Sequence, residues 1–341
     1  SLRPTLKIDG TVAADSVALR DTLRWAGLKP LTGGGFGRFA LKAQTNVVGG
    51  TVALSGVNLE LDGNTAEGVI TFAADGRQTL QGTLAADNLD LTPYISTIRL
   101  VTGNNREWNR LPIVLDGLTG IDFDLRLSAA KIALGGAKLG RTAVAANLRS
   151  GKLTVTVGES QAFGGVIKGS LLLAKVEAGA ELKSQLQFSE VDLETCISEL
   201  FGVRKLEGKG DIGFSIEGSG ENVYALTRTL NGSATMTGSK GAIVGLNVEQ
   251  LLRRLERRPL SGGSEFRSGR TPFEKFAVNI KITNGTAAVE DMKLEGPSVR
   301  LAMNKLSTEW SSSENGVIFI TIISLRFLSV RSSQCAVHLV A

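Results

Sequence analysis

Leu206–Leu255 reads LEGKGDIGFSIEGSGENVYALTRTLNGSATMTGSKGAIVGLNVEQLLRRL, and its pattern decides the fold. Ile212, Phe214 and Ile216 alternate with Asp211, Ser215 and Glu217, as expected of a strand buried on one face. Val223, Leu226 and Leu230 are spaced to share one face of a short helix. Gly232 ends that helix, and Ser233–Thr237 is extended again. Asn247 is placed to cap a second helix, with Gln250 three residues on to answer it. There Val248, Leu251, Leu252 and Leu255 form an apolar stripe, and Arg253, Arg254, Arg257 and Arg258 keep to the other side. The order is strand, helix, strand, Gly turn, basic amphipathic helix, and it contains no catalytic group.

Upstream, the chain opens on a strand-like start (Leu6, Ile8) and an amphipathic helix near Asp15–Ala26, capped by Asp15 or Ser16. Val17, Leu19, Leu23 and Trp25 supply its apolar side. From Phe39 to Tyr94 strand follows strand, with hairpin signals at Asp62-Gly63 and Asp75-Gly76. An internal repeat appears here. Leu80–Ile95 (LQGTLAADNLDLTPYI) aligns without gaps on Leu182–Ile197 (LKSQLQFSEVDLETCI), about a hundred residues later. Gly68-Val-Ile and Gly169-Ser-Leu correspond with one residue of slack. In both units an Asp, Asp90 or Asp192, precedes a short closing helix as an N-cap. Ser96–Pro112 loses periodicity and reads as a linker, with Trp108 placed to pin it to a sheet. Strands resume at Ile113–Leu115 and Ile121–Leu127. Beyond the central stretch, Phe276, Val278, Ile280 and Ile282 alternate into Asn284-Gly285, the best hairpin turn in the sequence, and Val299, Leu301 and Met303 continue the sheet.

Gly241-Ala-Ile-Val-Gly245-Leu-Asn-Val running into Leu251-Leu252 resembles the C-terminal region of AsmA family proteins. The resemblance extends back through Lys138-Leu-Gly-Arg-Thr142 and Phe163-Gly-Gly-Val-Ile-Lys-Gly169. It reaches forward through Thr271-Pro-Phe273 to about Asn304. It implies a non-enzymatic protein of the Gram-negative envelope, in the periplasm and associated with the inner membrane. Such proteins are linked to outer-membrane biogenesis and to phospholipid transport, and are related to bridge-like lipid transfer proteins. Members carry an N-terminal membrane anchor; this sequence, which begins without Met, is expected to be a fragment or a processed piece from which any such anchor has been removed.

Composition narrows the alternatives. The 341 residues are 42% hydrophobic, enough for a large core, and 41 Gly against 7 Pro indicate many tight turns. The formal charge of +5 falls to +3 without Arg326 and Arg331 of the acid-free tail, and no basic patch is interleaved with stacking aromatics. A nucleic-acid partner is therefore not expected. The Arg253–Arg258 face reads as solvated, with an anionic headgroup as the sharper alternative. Cys196 and Cys335 make no disulfide framework, and Cys196 reads as a small hydrophobe at a helix start. Val317–Ile323, the longest apolar run, is far short of a membrane span and is an aggregation hazard if exposed.

Enzyme chemistry finds little to work with. His338, the only histidine, lies in the tail, so base catalysis by imidazole and His-based metal binding are not expected. Gly208-Lys-Gly210-Asp-Ile-Gly213 matches a dinucleotide fingerprint literally but runs into a strand where a helix must open. Gly33–Gly37 likewise lacks a helix directly behind it and reads as turn material. Asp122 and Asp124 share a strand's polar face without converging metal ligands. Neither a cofactor nor a metal is expected. Acids are plentiful, so a carboxylate-pair glycan hydrolase stays as a third, weaker reading.

The expected fold is mostly β: an elongated, curled antiparallel sheet of stacked repeats with short capping helices at Asp90–Ile95, Asp192–Leu200 and Asn247–Arg258. The expected divisions are a first repeat unit (1–96), the linker (97–112), a second unit (113–202), a C-terminal cassette (203–306) and an atypical tail (307–341). The tail is read as diverged or frame-shifted and as adding little stability. Ile70 and Phe72, then Ile212, Phe214 and Ile216, then Val278, Ile280 and Ile282 are the candidates for an apolar lipid-binding face. Two function classes stay open: a phospholipid-handling bridge, and a structural or interaction module whose apolar face is a closed core. A lipid-lined face and a packed face give the same alternation.

Overall fold

The computed structural model describes residues 7–27, 34–74, 76–95, 101–102, 107–115, 120–177, 179–201, 204–250, 269–297, 299–306 and 335–339. The first unit contains β1 (Lys7–Ser16), α1 (Leu19–Trp25), β2 (Phe39–Val48), β3 (Thr51–Leu61), β4 (Asn64–Ala73), β5 (Thr79–Asp90) and α2 (Thr92–Ile95). A two-stranded ladder, β6 (Val101–Thr102) with β7 (Glu107–Trp108), follows. The second unit is β8 (Asp122–Leu134), β9 (Ala137–Leu139), β10 (Thr142–Arg149), β11 (Lys152–Ala162), β12 (Gly165–Val176), β13 (Gly179–Asp192) and α3 (Leu193–Phe201). Then come β14 (Leu206–Gly220), α4 (Val223–Arg228), β15 (Asn231–Val244), β16 (Arg270–Thr283), β17 (Thr286–Glu295), β18 (Val299–Leu306) and β19 (Cys335–Leu339).

Every strand except β6 and β7 belongs to one sheet of seventeen strands. Its spatial order follows the chain from β1 to β5, passes to β8, and continues from β10 to β19. β9 and β10 both pair with β8, end to end along the same side. All neighbours are antiparallel except β5 and β8, which run parallel from Thr79↔Asp122 to Asp90↔Ala133. A parallel neighbour requires the chain to return to the starting end of the strand, which no hairpin does. Residues 91–121 make that return, so the non-periodic stretch is the crossover between the two units. Part of it is fixed far along the sheet: the Ile113 N–H donates to the Glu221 carbonyl at 2.8 Å, and the Tyr224 N–H to the Asn109 carbonyl at 3.1 Å.

Turn chemistry explains the hairpins. Asp62-Gly63, Ser150-Gly151, Phe163-Gly164 and Asn284-Gly285 each have positive φ at both positions, the pattern whose twist matches the flanking strands. The closing Asp residues cap as expected: Asp90 Oδ1 accepts from the Thr92 N–H at 2.9 Å, and Asp192 Oδ1 from the Thr195 N–H at 2.8 Å. Asn222 does the same for α4, accepting from the Ala225 N–H at 2.8 Å. Asn247 Oδ1 accepts from the Gln250 N–H at 2.9 Å, while the rest of the expected basic helix lies outside the described residues.

The start of the chain departs from expectation. β1 extends through Asp15 and Ser16, its full length pairing with β2, and α1 begins at Leu19 with no side-chain cap on Ala18. Ser16 Oγ instead accepts the Ala18 N–H. Val17 and Trp25, expected on the helix's apolar side, are 89% and 90% exposed. In the tail, Cys335–Leu339 pairs with β18 as the last strand; the remainder lies outside the described residues.

Candidate functional site

Directly opposed residues of neighbouring strands project to the same face of a sheet, so the ladder register traces that face. One row runs Ile8, Val47, Val52, Phe72, Leu80, Phe123, Leu148, Leu153, Leu173, Leu182. The next carries Leu54 and Ile70, crosses Gly82, Leu125, Ala146, Val155, Leu171 and Ser184, and continues through Ile216 and Gly232 to Ile282. A third joins Val57 and Leu84 through Leu127, Val144, Val157 and Leu186 to Phe214, Ala234 and Ile280. A fourth takes Phe188, Ile212, Met236, Val278 and Met292. All eight residues singled out from the sequence therefore lie on one face, and Ile70, Ile216 and Ile282 lie in a single row. The opposite face is polar: Thr71, Gln81, Asp124, Asn147, Thr154, Leu172, Lys183 and Glu217 form one of its rows. Lys183 sits 3.2 Å from Glu181 and 3.5 Å from Glu217, whose charges hold its pKa above the ordinary lysine value.

Hairpin periodicity identified three patches of this face and missed what joins them. Leu125, Leu127, Val155, Val157, Leu171 and Leu173 complete the rows across β8 and β10–β12. Each alternates in sequence; their alignment with the earlier strands depends on the parallel β5–β8 junction.

The face is covered unevenly. Toward β14–β18 it is a sealed core: Ile212, Val278, Ile280 and Ile282 are 5%, 4%, 5% and 7% exposed. α3 lies over one end, where a Cβ added at Gly238 would meet Leu193 at 3.1 Å and Phe273 at 3.3 Å. α4 covers the other end, where a Cβ at Gly218 would meet the Leu226 carbonyl at 3.1 Å and Leu230 at 3.3 Å. Leu193, Cys196, Ile197, Leu226 and Leu230 join the sheet's apolar side chains in one cluster, with Ile113 of the crossover packed against it. Burial pushes the Cys196 thiol up to about 12, with the Glu199 and Asp192 charges adding to it, so the thiol is inert. Toward β1–β13 the same face is open. Ile70 and Phe72 are only half-buried, Leu171 is 39% exposed and Ile8 at the edge is 49% exposed, although Val57 and Leu148 of this stretch are buried; Phe214 and Ile216 of β14 are half-buried and packed against the sealed cluster. A cavity of about 760 Å³ lies in this half, with Ala14, Leu41, Leu59, Ala66 and Ala86 among its lining.

The end of the open half is held by polar ties. Asp62, in its turn, accepts from the Phe36 N–H at 2.8 Å, the Gly37 N–H at 2.7 Å and the Tyr94 hydroxyl at 2.5 Å. Partial burial raises the Asp62 pKa, but those hydrogen bonds and the Arg20 charge together bring it below the usual carboxylate value. Burial and the bonded Asp62 push Tyr94 above the ordinary phenol range. These bonds tie the β3–β4 turn to α2 and to the segment that precedes β2. Asp122 is paired with Arg77 at 2.8 Å and accepts from the Ser150 N–H at 2.9 Å, which accounts for the acid read on that strand. Among the described residues, His, Cys, Asp and Glu form no group able to hold a metal ion, and no helix is long and apolar enough to cross a membrane.

The profile of the AsmA family matches residues 101–292, more than half of the chain. This chain belongs to the AsmA family. The match spans the crossover, the second unit and the sealed β14–β17 region, and so contains both the open and the closed stretches of the apolar face. Searches of the curated proteins and of the solved structures return no match.

Proposed function

We propose that this AsmA-family chain is a non-enzymatic cell-envelope protein that holds phospholipid acyl chains on the open part of its apolar sheet face. Its site of action would be the periplasm, in association with the inner membrane, and its role support of outer-membrane biogenesis. The observation that carries the reading is the set of apolar rows that follow the strand register from β1 to β13 and are left largely half-buried there. A row such as Leu54, Ile70, Gly82, Leu125, Ala146, Val155, Leu171 leaves aliphatic surface partly exposed over a length no single side chain covers. Acyl chains supply the missing contacts with no directional demand, and the headgroup remains in water. The polar outer face keeps such a trough soluble.

A second reading is supported by the sealed region: a structural or interaction module with a closed core and no lipid cargo. Native mass spectrometry of the purified chain separates the two. Phospholipid bound at defined stoichiometry supports the trough; a clean apo mass after extraction from lipid-containing cells supports the module.

A further inference from the structure

We infer that Ser184 is the polar seat of the lipid trough: its hydroxyl donates to an ester carbonyl of a bound diacyl phospholipid and so fixes where the glycerol end lies. Among the described residues, Thr142, Ser160, Ser184 and Thr271 are the buried polar side chains. Three of them are satisfied. The Thr142 and Ser160 hydroxyls lie 2.7 Å apart, and Thr142 also donates to the Gly140 carbonyl at 3.0 Å. The Thr271 hydroxyl donates to the Leu246 carbonyl at 2.7 Å and accepts from the Val248 N–H at 3.0 Å. Ser184, 8% exposed, has no hydrogen-bond partner for its hydroxyl among the described residues. A hydroxyl held this far from water without a partner is a standing cost to the fold.

The sheet does not need the hydroxyl. Gly82 is the aligned position of the first repeat unit and lies in the same row, where a Cβ would meet Leu125 at 3.2 Å and Ile70 at 3.3 Å. Glycine serves there, so the repeat itself demands only a small residue. Ser184 stands between Leu171 of β12, which is exposed, and Ile216 of β14, which is packed against the sealed cluster. Leu182 and Leu186, two residues to either side of it, project to the same face and are half-buried. The unpaired hydroxyl therefore sits at the inner end of the open face, where the trough meets the core.

That position selects the chemistry of the occupant, and so deepens the lipid-trough reading on which it rests. Plain hydrocarbon laid over Ser184 would shut the hydroxyl away unpaired. An acyl chain that ends in an ester places a carbonyl acceptor there instead. Its tail runs back along the row from β13 toward β5, five strand spacings away, or about 24 Å. That exceeds the ~15 Å that acyl chains occupy in one leaflet. The headgroup leaves through the open side at Leu171. The row neighbours of Ser184 are aliphatic, so a neutral carbonyl fits better than a carboxylate or phosphate buried without a cation.

The test is native mass spectrometry of the purified chain incubated with an equimolar mixture of diester phosphatidylcholine and its diether analogue, which keeps the chains and headgroup and lacks the carbonyls. The wild type is expected to retain the diester about five- to tenfold over the diether, and Ser184→Ala to take both about equally. The lipid-free variant should melt no lower than wild type, because the hydroxyl makes no bond there. Equal retention by the wild type overturns the seat and leaves the trough standing. A variant that keeps the preference, or that melts well below wild type, overturns the seat too, the latter by giving the hydroxyl a structural role. A free fatty acid that displaces the diester from the wild type and not from the variant also overturns it, assigning the hydroxyl to a carboxylate. A wild type that retains neither lipid removes the trough, and the seat with it.

Discussion

The two repeat units share a scaffold and differ in what lies over it. Leu80 and Leu182 occupy the same row of the sheet, as do Leu84 and Leu186, and Gly68 and Gly169 stand opposite the latter pair. The hairpin turns also correspond: Asp62-Gly63 and Phe163-Gly164, with first-position φ of 53° and 52°. Yet the first turn is a carboxylate hydrogen-bonded to Tyr94 of α2, while the second is a buried Phe163 in the same apolar cluster as Cys196 of α3. Tyr94 and Cys196 are the aligned positions of the repeat. A four-residue α2 leaves its end of the face wet, so the tie there is polar; a nine-residue α3 excludes water, and the tie becomes apolar. Coverage, not the sheet, separates an open face from a core.

The largest expected effect contrasts Ile280 with Ile70. Ile280→Asp buries an unpaired carboxylate among Ala234, Val289 and their neighbours and should cost several kcal/mol, roughly 4, or prevent folding. Ile70→Asp, on the same face but half-buried, should remain folded with a loss of about 1 kcal/mol in denaturant melts. Equal losses at both positions would erase the distinction between the two regions.

The repeat itself is sharpened by Gly68→Ala and Gly169→Ala. A Cβ at these sites would lie 2.0 Å from the Thr83 carbonyl oxygen and 2.1 Å from that of Gln185. Both variants should lose about 1–3 kcal/mol as the backbone shifts. A loss at only one would show that the two hairpins are not equivalent.

The polar tie gives a smaller, pH-dependent effect. Tyr94→Phe should cost about 1–2 kcal/mol at neutral pH. The depressed Asp62 pKa means its contribution is whole above the unfolded value near pH 4 and fades as pH falls through the folded value. The raised Tyr94 pKa works in the other direction: its contribution is whole below about pH 10 and fades as pH rises beyond it. Asp62→Asn should flatten the acid limb of stability, measured by urea midpoints across pH; an unchanged limb would show the tie to be unimportant.

Much of this was legible in the residues. Alternation located the strands, Asn284-Gly285 and Asp62-Gly63 the turns, and the aligned Asp90 and Asp192 the helix caps, because each is a local property of the backbone. The parallel β5–β8 junction was hidden, since it is made by the non-periodic 91–121. The Asp62–Tyr94 bond joins residues 32 apart and leaves no pattern. Nor does alternation tell Ile70 from Ile280, because both alternate perfectly and differ only in how fully other side chains bury them. The exposure of Trp25 was missed for the opposite reason: helical spacing made it look like a core residue.

Photolabelling tests the central claim most directly. The chain is loaded with a phospholipid bearing a diazirine near the end of one acyl chain, irradiated, and its adducts mapped by peptide mass spectrometry. Adducts are expected on the open part of the apolar face, at Ile70, Phe72 and Leu171, and not on Val278 or Ile280 of the sealed core or Val69 of the outer face. An absence of adducts from the open rows, or adducts spread equally over both faces, would contradict it.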